Sequence, residues 1–301
     1  MIEKITINMH SSIRVQGERV IYFDPYGIKE ESHDADVIFI THDHYDHFDP
    51  ESINNIIRDD TLLIIPRTSM QAWSESGIIA TQLVQMDPGQ EIDLFGLLIE
   101  TVPAYNHVKP YHPRRNGWLG YIVTTDNRRI YVTGDTDLTP EARLVECDIL
   151  FVPVGGKFTM NYTKAAELAN SIKPDIAVPT HYGSIVGKPG DGRAFKELVD
   201  DEIIVPLLIR HTPEAEQQEP AAEHGAPAEA GAAEETIEEA SAAQTDGIDD
   251  LMTEIKSPDA EYDYQEPTDA EYEATEIIED DPMDETPTDY EYEEAVEEKE
   301  E

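Results

Sequence analysis

Seven consecutive residues hold most of the chemistry this chain could perform: Thr41-His42-Asp43-His44-Tyr45-Asp46-His47 contains three histidines and two aspartates. Imidazole and carboxylate are the donors that suit zinc and similar divalent cations. If extended backbone continues into this stretch, His42 and His44 project to the same side, because side chains alternate along a strand. Asp46 and His47 then turn toward a second, neighbouring position. Polar loop residues are ordinarily just solvated, but this many ligand types at this spacing point to metal binding.

The flanking residues say what positions the cluster. Asp36-Val37-Ile38-Phe39-Ile40 reads as a buried strand entering it. Asp49-Pro50 then supplies a helix N-cap and a first helical residue ahead of Ser52, Ile53, Ile56 and Ile57. The cluster therefore occupies a tight strand-to-helix loop. Strand patterns also appear at Ile5 and Ile7, 12–15, 20–23, 61–65 and 84–86, around Leu94 to Val102, and at 121–124 and 130–133. Residues 68–73 read as helical, and Thr125-Asp126-Asn127 as a turn. Three strands end on glycine with polar residues beside it: Gly134-Asp135-Thr136-Asp137, Val154-Gly155-Gly156 and Thr180-His181-Tyr182-Gly183. Thr163 is placed to cap a helix whose inner face is Ala166, Leu168, Ala169 and Ile172. Strands with polar ends, separated by helices, indicate an α/β sandwich with its site along one edge. His10 has two readings, toward the metal pocket or as a core hydrogen-bonding group. Asp24, at a strand end, reads as a loop brace.

Charge divides the chain of 301 residues and net charge −44. Residues 212–301 hold 34 acids and two lysines, whereas 1–211 hold 31 acids and 19 bases. The first part is long enough for one domain with a sizeable core. The second lacks long apolar runs, and its Glu, Ala, Asp, Pro and Thr cannot offset the entropy of ordering, so it is expected to be disordered. Cys147, the only cysteine, lies in a buried-strand pattern and reads as a core thiol. No signal-peptide or membrane-spanning pattern is present, so a cytoplasmic location is expected.

The ordered set His42-x-His44-x-Asp46-His47, a histidine near residue 110, Gly134-Asp135-Thr136 and Thr180-His181-Tyr182-Gly183 resembles the metallo-β-lactamase-fold superfamily. Pro103-Ala104-Tyr105-Asn106, Gly134-Asp135-Thr136-Asp137, Pro153-Val154-Gly155-Gly156 and His181-Tyr182-Gly183 are similar to lactonase-like hydrolases related to ascorbate-6-phosphate lactonase. The resemblance covers about residues 5–210 and implies an αββα sandwich with a two-metal site at one edge. It implies His42, His44 and a later histidine on one ion, Asp46, His47 and His181 on the other, and Asp135 bridging. The later histidine is His112, stiffened by Pro110 and Pro113, with His107 as the alternative and an under-ligated site as a third reading. Two divalent ions, zinc before manganese or iron, would bring a bridging hydroxide to neutral pH, with Asp46 as proton acceptor and Asp135 as the shared ligand. His107, Tyr182, Lys157 and Arg114 are second-rank substrate contacts.

The expected function is hydrolysis of a small ester, lactone or phosphoester. The alternatives are a phosphodiesterase or nuclease, an iron oxidoreductase on the same fold, or a non-catalytic metal-binding scaffold. The acidic tail opposes non-specific binding to nucleic acid. Its repeated Pro-(Thr)-Asp-(Ala-Glu)-Tyr pattern suits either a solubilising tail or a protein-binding segment. No membrane partner is expected, and the oligomeric state is open between a monomer and a homo-oligomer.

Overall fold

Four strands are buried along their whole length on both faces, three of them apolar throughout and the fourth apolar up to its terminal Thr180. The computed structural model describes residues 2–210, so the acidic segment 212–301, expected to be disordered, lies outside the described residues. One six-stranded sheet follows chain order: β1 (Ile5–Ile7), β2 (Ile13–Gln16), β3 (Val20–Phe23), β4 (Val37–Phe39), β5 (Leu62–Pro66) and β6 (Gln82–Met86). The other runs β12 (Ile176–Thr180), β11 (Ile149–Pro153), β10 (Arg128–Val132), β9 (Leu119–Thr125), β8 (Leu97–Pro103) and β7 (Glu91–Leu94). Strands β3 to β6 are parallel, as are β10 to β12, while the remaining neighbours pair antiparallel.

Alternation along the strands divides the core into three layers. Val37 and Phe39 face Phe151, Val178 and Tyr121 between the sheets, where Phe23 stacks on Phe39 with centroids 4.9 Å apart. Ile38 and Ile40 point the other way, to Ile53 and Ile56 of α1 (Pro50–Ile56) and Trp73 of α2 (Met70–Ser76). Leu150, Val152 and Ala177 likewise meet Ala165, Leu168 and Ala169 of α4 (Tyr162–Ile172) and Phe195 of α5 (Asp191–Leu198), with Ala142 of α3 (Pro140–Arg143). The αββα sandwich expected from the sequence is therefore present. Cys147 is a free, part-buried thiol beside this last layer, its pKa pushed up to about 12 by burial.

Local signals act as their chemistry predicts, with one exception. Asp49 caps α1 by accepting from Glu51 N, and Pro50 begins the helix. Asp126 and Asn127, at φ 50 and 58, make the two-residue β9–β10 turn. The cap of α4 is Asn161 rather than Thr163: its side-chain oxygen accepts from Lys164 N at 3.0 Å, which leaves Thr163 inside the first turn. No described helix is long and apolar enough to cross a membrane.

Candidate metal centre

The carboxyl ends of β4, β10, β11 and β12 open onto one edge, and cross-sheet bonds fix the loops that leave them. Tyr121 Oη donates to the Ile40 carbonyl at 2.8 Å, and Leu119 N donates to the Thr41 carbonyl at 3.0 Å. Gly134 takes φ 64; a Cβ there would stand 2.9 Å from the Leu119 carbonyl oxygen and 3.1 Å from Thr41 Cβ. Only glycine lets β10 end this close to the β4 loop and present Asp135.

Three sets of side chains converge on this edge: His42, His44 and His112; His10, Asp46, His47 and His181; and His42, His47 and Asp135. Within each set, one donor atom per residue lies within 4.8 Å of every other. All are buried except His44, which faces solvent. The Nε2 atoms of His47, His112 and His181 and Asp135 Oδ1 are buried without a hydrogen-bond partner. Buried polar atoms without partners are costly, and a cation among them would satisfy all four.

The opposite ring nitrogens of His47 and His42 are engaged. His47 Nδ1 lies 2.7 Å from Asp24 Oδ2, while Asp24 also accepts from Thr41 N at 2.7 Å and Thr41 Oγ1 at 2.8 Å. His42 Nδ1 is 2.9 Å from Thr41 Oγ1. A carboxylate or hydroxyl behind the ring fixes the tautomer that leaves Nε2 available to a metal. Asp24 is thus the brace its position suggested, reaching the site through His47 and Thr41.

Charge is shared among these groups. Burial raises the Asp135 pKa, but the His181 and His47 charges outweigh it and hold the carboxyl well below its usual range. Burial lowers His47 and His181, but Asp135 outweighs it in both, aided by Asp24 at His47, and both imidazoles sit above their ordinary value. His42 goes the other way, well below it, because burial dominates. His10 is likewise brought down to about 4 by burial.

The loop after β8 brings in His112 and leaves His107 outside. Asn106 closes it, its N–H donating to the His112 carbonyl at 2.8 Å and its amide nitrogen to the carbonyls of Tyr111 at 2.8 Å and Phe158 at 2.6 Å. His107 is exposed, its ring against Tyr105 with centroids 5.0 Å apart. Tyr182 is also away from the site. It is 2% exposed in the core layer beneath α5, its ring occupying the space a side chain on Gly192 would need. Arg114 pairs with Glu141 at 2.7 Å, and the Lys157 ammonium lies over the Phe158 ring. None of these four is brought into the donor sets.

Trp118 is a wall that the sequence reading did not single out. Its ring lies 4.8 Å from His42, 4.7 Å from His44 and 5.3 Å from His112 between centroids. Four residues around the site, His10, Asp24, His112 and His181, adopt φ between 46 and 58 without being glycine. Such backbone costs about 1–3 kcal/mol per residue and is held by its surroundings.

Comparison with known proteins agrees with this geometry. The family model described as a beta-lactamase superfamily domain matches residues 4–181. A UPF0173 metal-dependent hydrolase of Thermoplasma volcanium is 29% identical over 221 residues, covering 68% of this chain and 96% of the relative. A UPF0173 protein of Pyrococcus abyssi is 32% identical over 184 residues, covering 60% of this chain and 82% of the relative. A crystal structure from Parabacteroides distasonis, described as a candidate metal-dependent hydrolase, superposes with a TM-score of 0.58 at 31% identity, covering 67% of this chain and 91% of that one. The edge-on His/Asp cluster and these matches together make the chain a member of the metallo-β-lactamase superfamily, within its UPF0173 family of metal-dependent hydrolases.

Proposed function

We propose that this protein uses two divalent cations to hydrolyse a small ester, lactone or phosphoester. The observation that carries the reading is the position of the Asp135 carboxylate. One oxygen lies 3.2 Å from His47 Nε2; the other lies 3.2 Å from His112 Nε2 and 3.0 Å from His181 Nε2. A single carboxylate thus faces both groups of histidines, as a shared ligand must.

His42, His44 and His112 would hold the first ion and Asp46, His47 and His181 the second, with Asp135 common to both. Zinc suits this donor set best, with manganese or iron next. When bound, such ions supply hydroxide near neutral pH and polarise the oxygen of the scissile bond. The remaining work belongs to the chain. His44 and Tyr45 are exposed, so substrate approaches across them, while Trp118 closes the wall beside the first group. Asp46 Oδ2 faces the histidines, 3.3 Å from His10 Nε2, 3.6 Å from His181 Nε2 and 3.7 Å from His47 Nε2, and this carboxylate is the group we assign to accept a proton.

Elemental analysis of the purified chain, run beside a screen of lactones, carboxylic esters and phosphodiesters, tests the reading. About two zinc or manganese ions per chain are expected, with turnover of one substrate class. Asp135→Ala should lose both metal and turnover. Full metal content in that variant sinks the shared-ligand assignment, and a metal-loaded chain inert on every class sinks the hydrolytic one.

A further inference from the structure

His10 stands outside the seven residues assigned above, yet it is wired as they are. It follows β1 in a loop closed by Asn8 N donating to Ser12 O at 2.9 Å and Ser12 N donating to Met9 O at 2.8 Å. Its own carbonyl accepts from His181 N at 3.2 Å, so the loop after β1 and the loop after β12 are joined at this residue. The side chain is 0% exposed, and its ring lies against His181 with centroids 3.8 Å apart.

The two ring nitrogens of His10 have different surroundings. Nδ1 lies 3.3 Å from Ser184 Oγ. Nε2 is buried without a hydrogen-bond partner, although Asp46 Oδ2 is 3.3 Å away. A carboxylate oxygen and a buried imidazole nitrogen at this distance are placed to share one cation. His10 offers a donor atom to the space shared with Asp46, His47 and His181, the four donor atoms all lying within 4.8 Å of one another. His47 has the same arrangement, with Nδ1 on Asp24 and Nε2 unpartnered and inward.

We infer that His10 is a further protein ligand of the second ion, binding through Nε2 while Nδ1–H donates to Ser184 Oγ. The inference rests on the two-ion reading above and adds an asymmetry to it. The second position then has His10, Asp46, His47, His181 and Asp135 around it. The first has three histidines and Asp135, with His44 on its solvent side. The second ion is therefore the retained one, and the first is the one with coordination left open to substrate.

Cobalt(II) binding to the full chain tests this without reference to turnover. The two dissociation constants are read by competition with a chelator and by the visible absorption of cobalt. Wild-type protein should take two ions of unequal affinity. His10→Ala should weaken the tighter site by roughly tenfold to a hundredfold and leave the weaker one unchanged. His44→Ala should do the reverse. Ser184→Ala, a change at an exposed residue, should weaken the tighter site by about tenfold with a wild-type circular dichroism spectrum. It carries the test if His10→Ala does not fold. Both affinities unchanged in the His10 or Ser184 variant, or both weakened equally, overturn the assignment of His10 alone. Fewer than two ions in the wild type overturns the two-ion reading and this inference together.

Discussion

Asp24→Asn is the most informative single substitution, because it removes charge and one acceptor while keeping size and backbone preference. Asp24 sits at φ 46, a conformation asparagine tolerates and alanine does not. Its carboxylate accepts from Thr41 N at 2.7 Å, Thr41 Oγ1 at 2.8 Å and His47 Nδ1 at 2.7 Å. Burial raises the Asp24 pKa, while His47 and Thr41 pull it down by favouring the carboxylate that accepts all three bonds. An asparagine oxygen can face His47 and Thr41 Oγ1, but its amide then confronts the Thr41 N–H. One buried donor left facing a donor costs about 1–3 kcal/mol, and one charge-assisted bond reduced to a neutral one adds about 1 more. We expect the metal-free protein to lose about 2–4 kcal/mol of unfolding free energy in urea titration. Metal affinity should fall roughly tenfold to a hundredfold, since His47 loses the group that orients it. Stability and metal affinity both equal to wild type would refute the argument that Asp24 positions His47.

Three further outcomes follow from the same geometry. A Cβ on Gly155 would overlap the His181 carbonyl oxygen, so Gly155→Ala should displace the His181 loop, costing about 1–3 kcal/mol in thermal or urea unfolding and weakening metal binding. Metal uptake should release protons into a weakly buffered indicator solution. His47 and His181 lie above their ordinary value, so folding favours their protonated forms, and any proton held there must be shed to offer Nε2. Apparent affinity should therefore drop as pH is lowered, by up to about tenfold per pH unit for each proton released, and a pH-independent affinity would contradict the charge assignment. Cobalt(II) should quench the emission of Trp118, which lies 4.8 Å from His42, and Trp118→Phe should abolish the quenching while Trp73→Phe leaves it intact.

Sequence legibility tracked how local each signal was. The β4–loop–α1 unit was readable because strand, ligands, cap and helix are contiguous, and Asp49 and Pro50 act within a few residues of themselves. The glycine-ended strands were readable for the same reason. His10 was not resolved between its two readings because it has no ligand spacing around it; its partners Asp46, His181 and Ser184 arrive from other loops. Tyr182 was misplaced by adjacency: the residue after His181 on the chain points to the opposite layer, where α5 covers it. Helix α5 is short and carries few apolar residues, its buried contact made by Gly192 and Phe195, so the sequence reading left it out. Asn161 outcompeted Thr163 as the α4 cap because its oxygen reaches the N3 amide at 3.0 Å, a three-dimensional fit that composition does not distinguish.

The two sheets have a consequence for how the chain is held together. Every strand of the first precedes Asp87-Pro88-Gly89-Gln90, and every strand of the second follows it. His10, His42, His44, Asp46 and His47 belong to one half; His112, Asp135 and His181 belong to the other. Ions bound among them would act as a reversible staple across a seam otherwise held by the apolar layer between the sheets and by a few cross-sheet hydrogen bonds. Opened at Gly89, the protein becomes two complementary fragments whose association is linked to free metal concentration by mass action. A chelator would then separate them, and the cation would determine whether two polypeptides behave as one molecule.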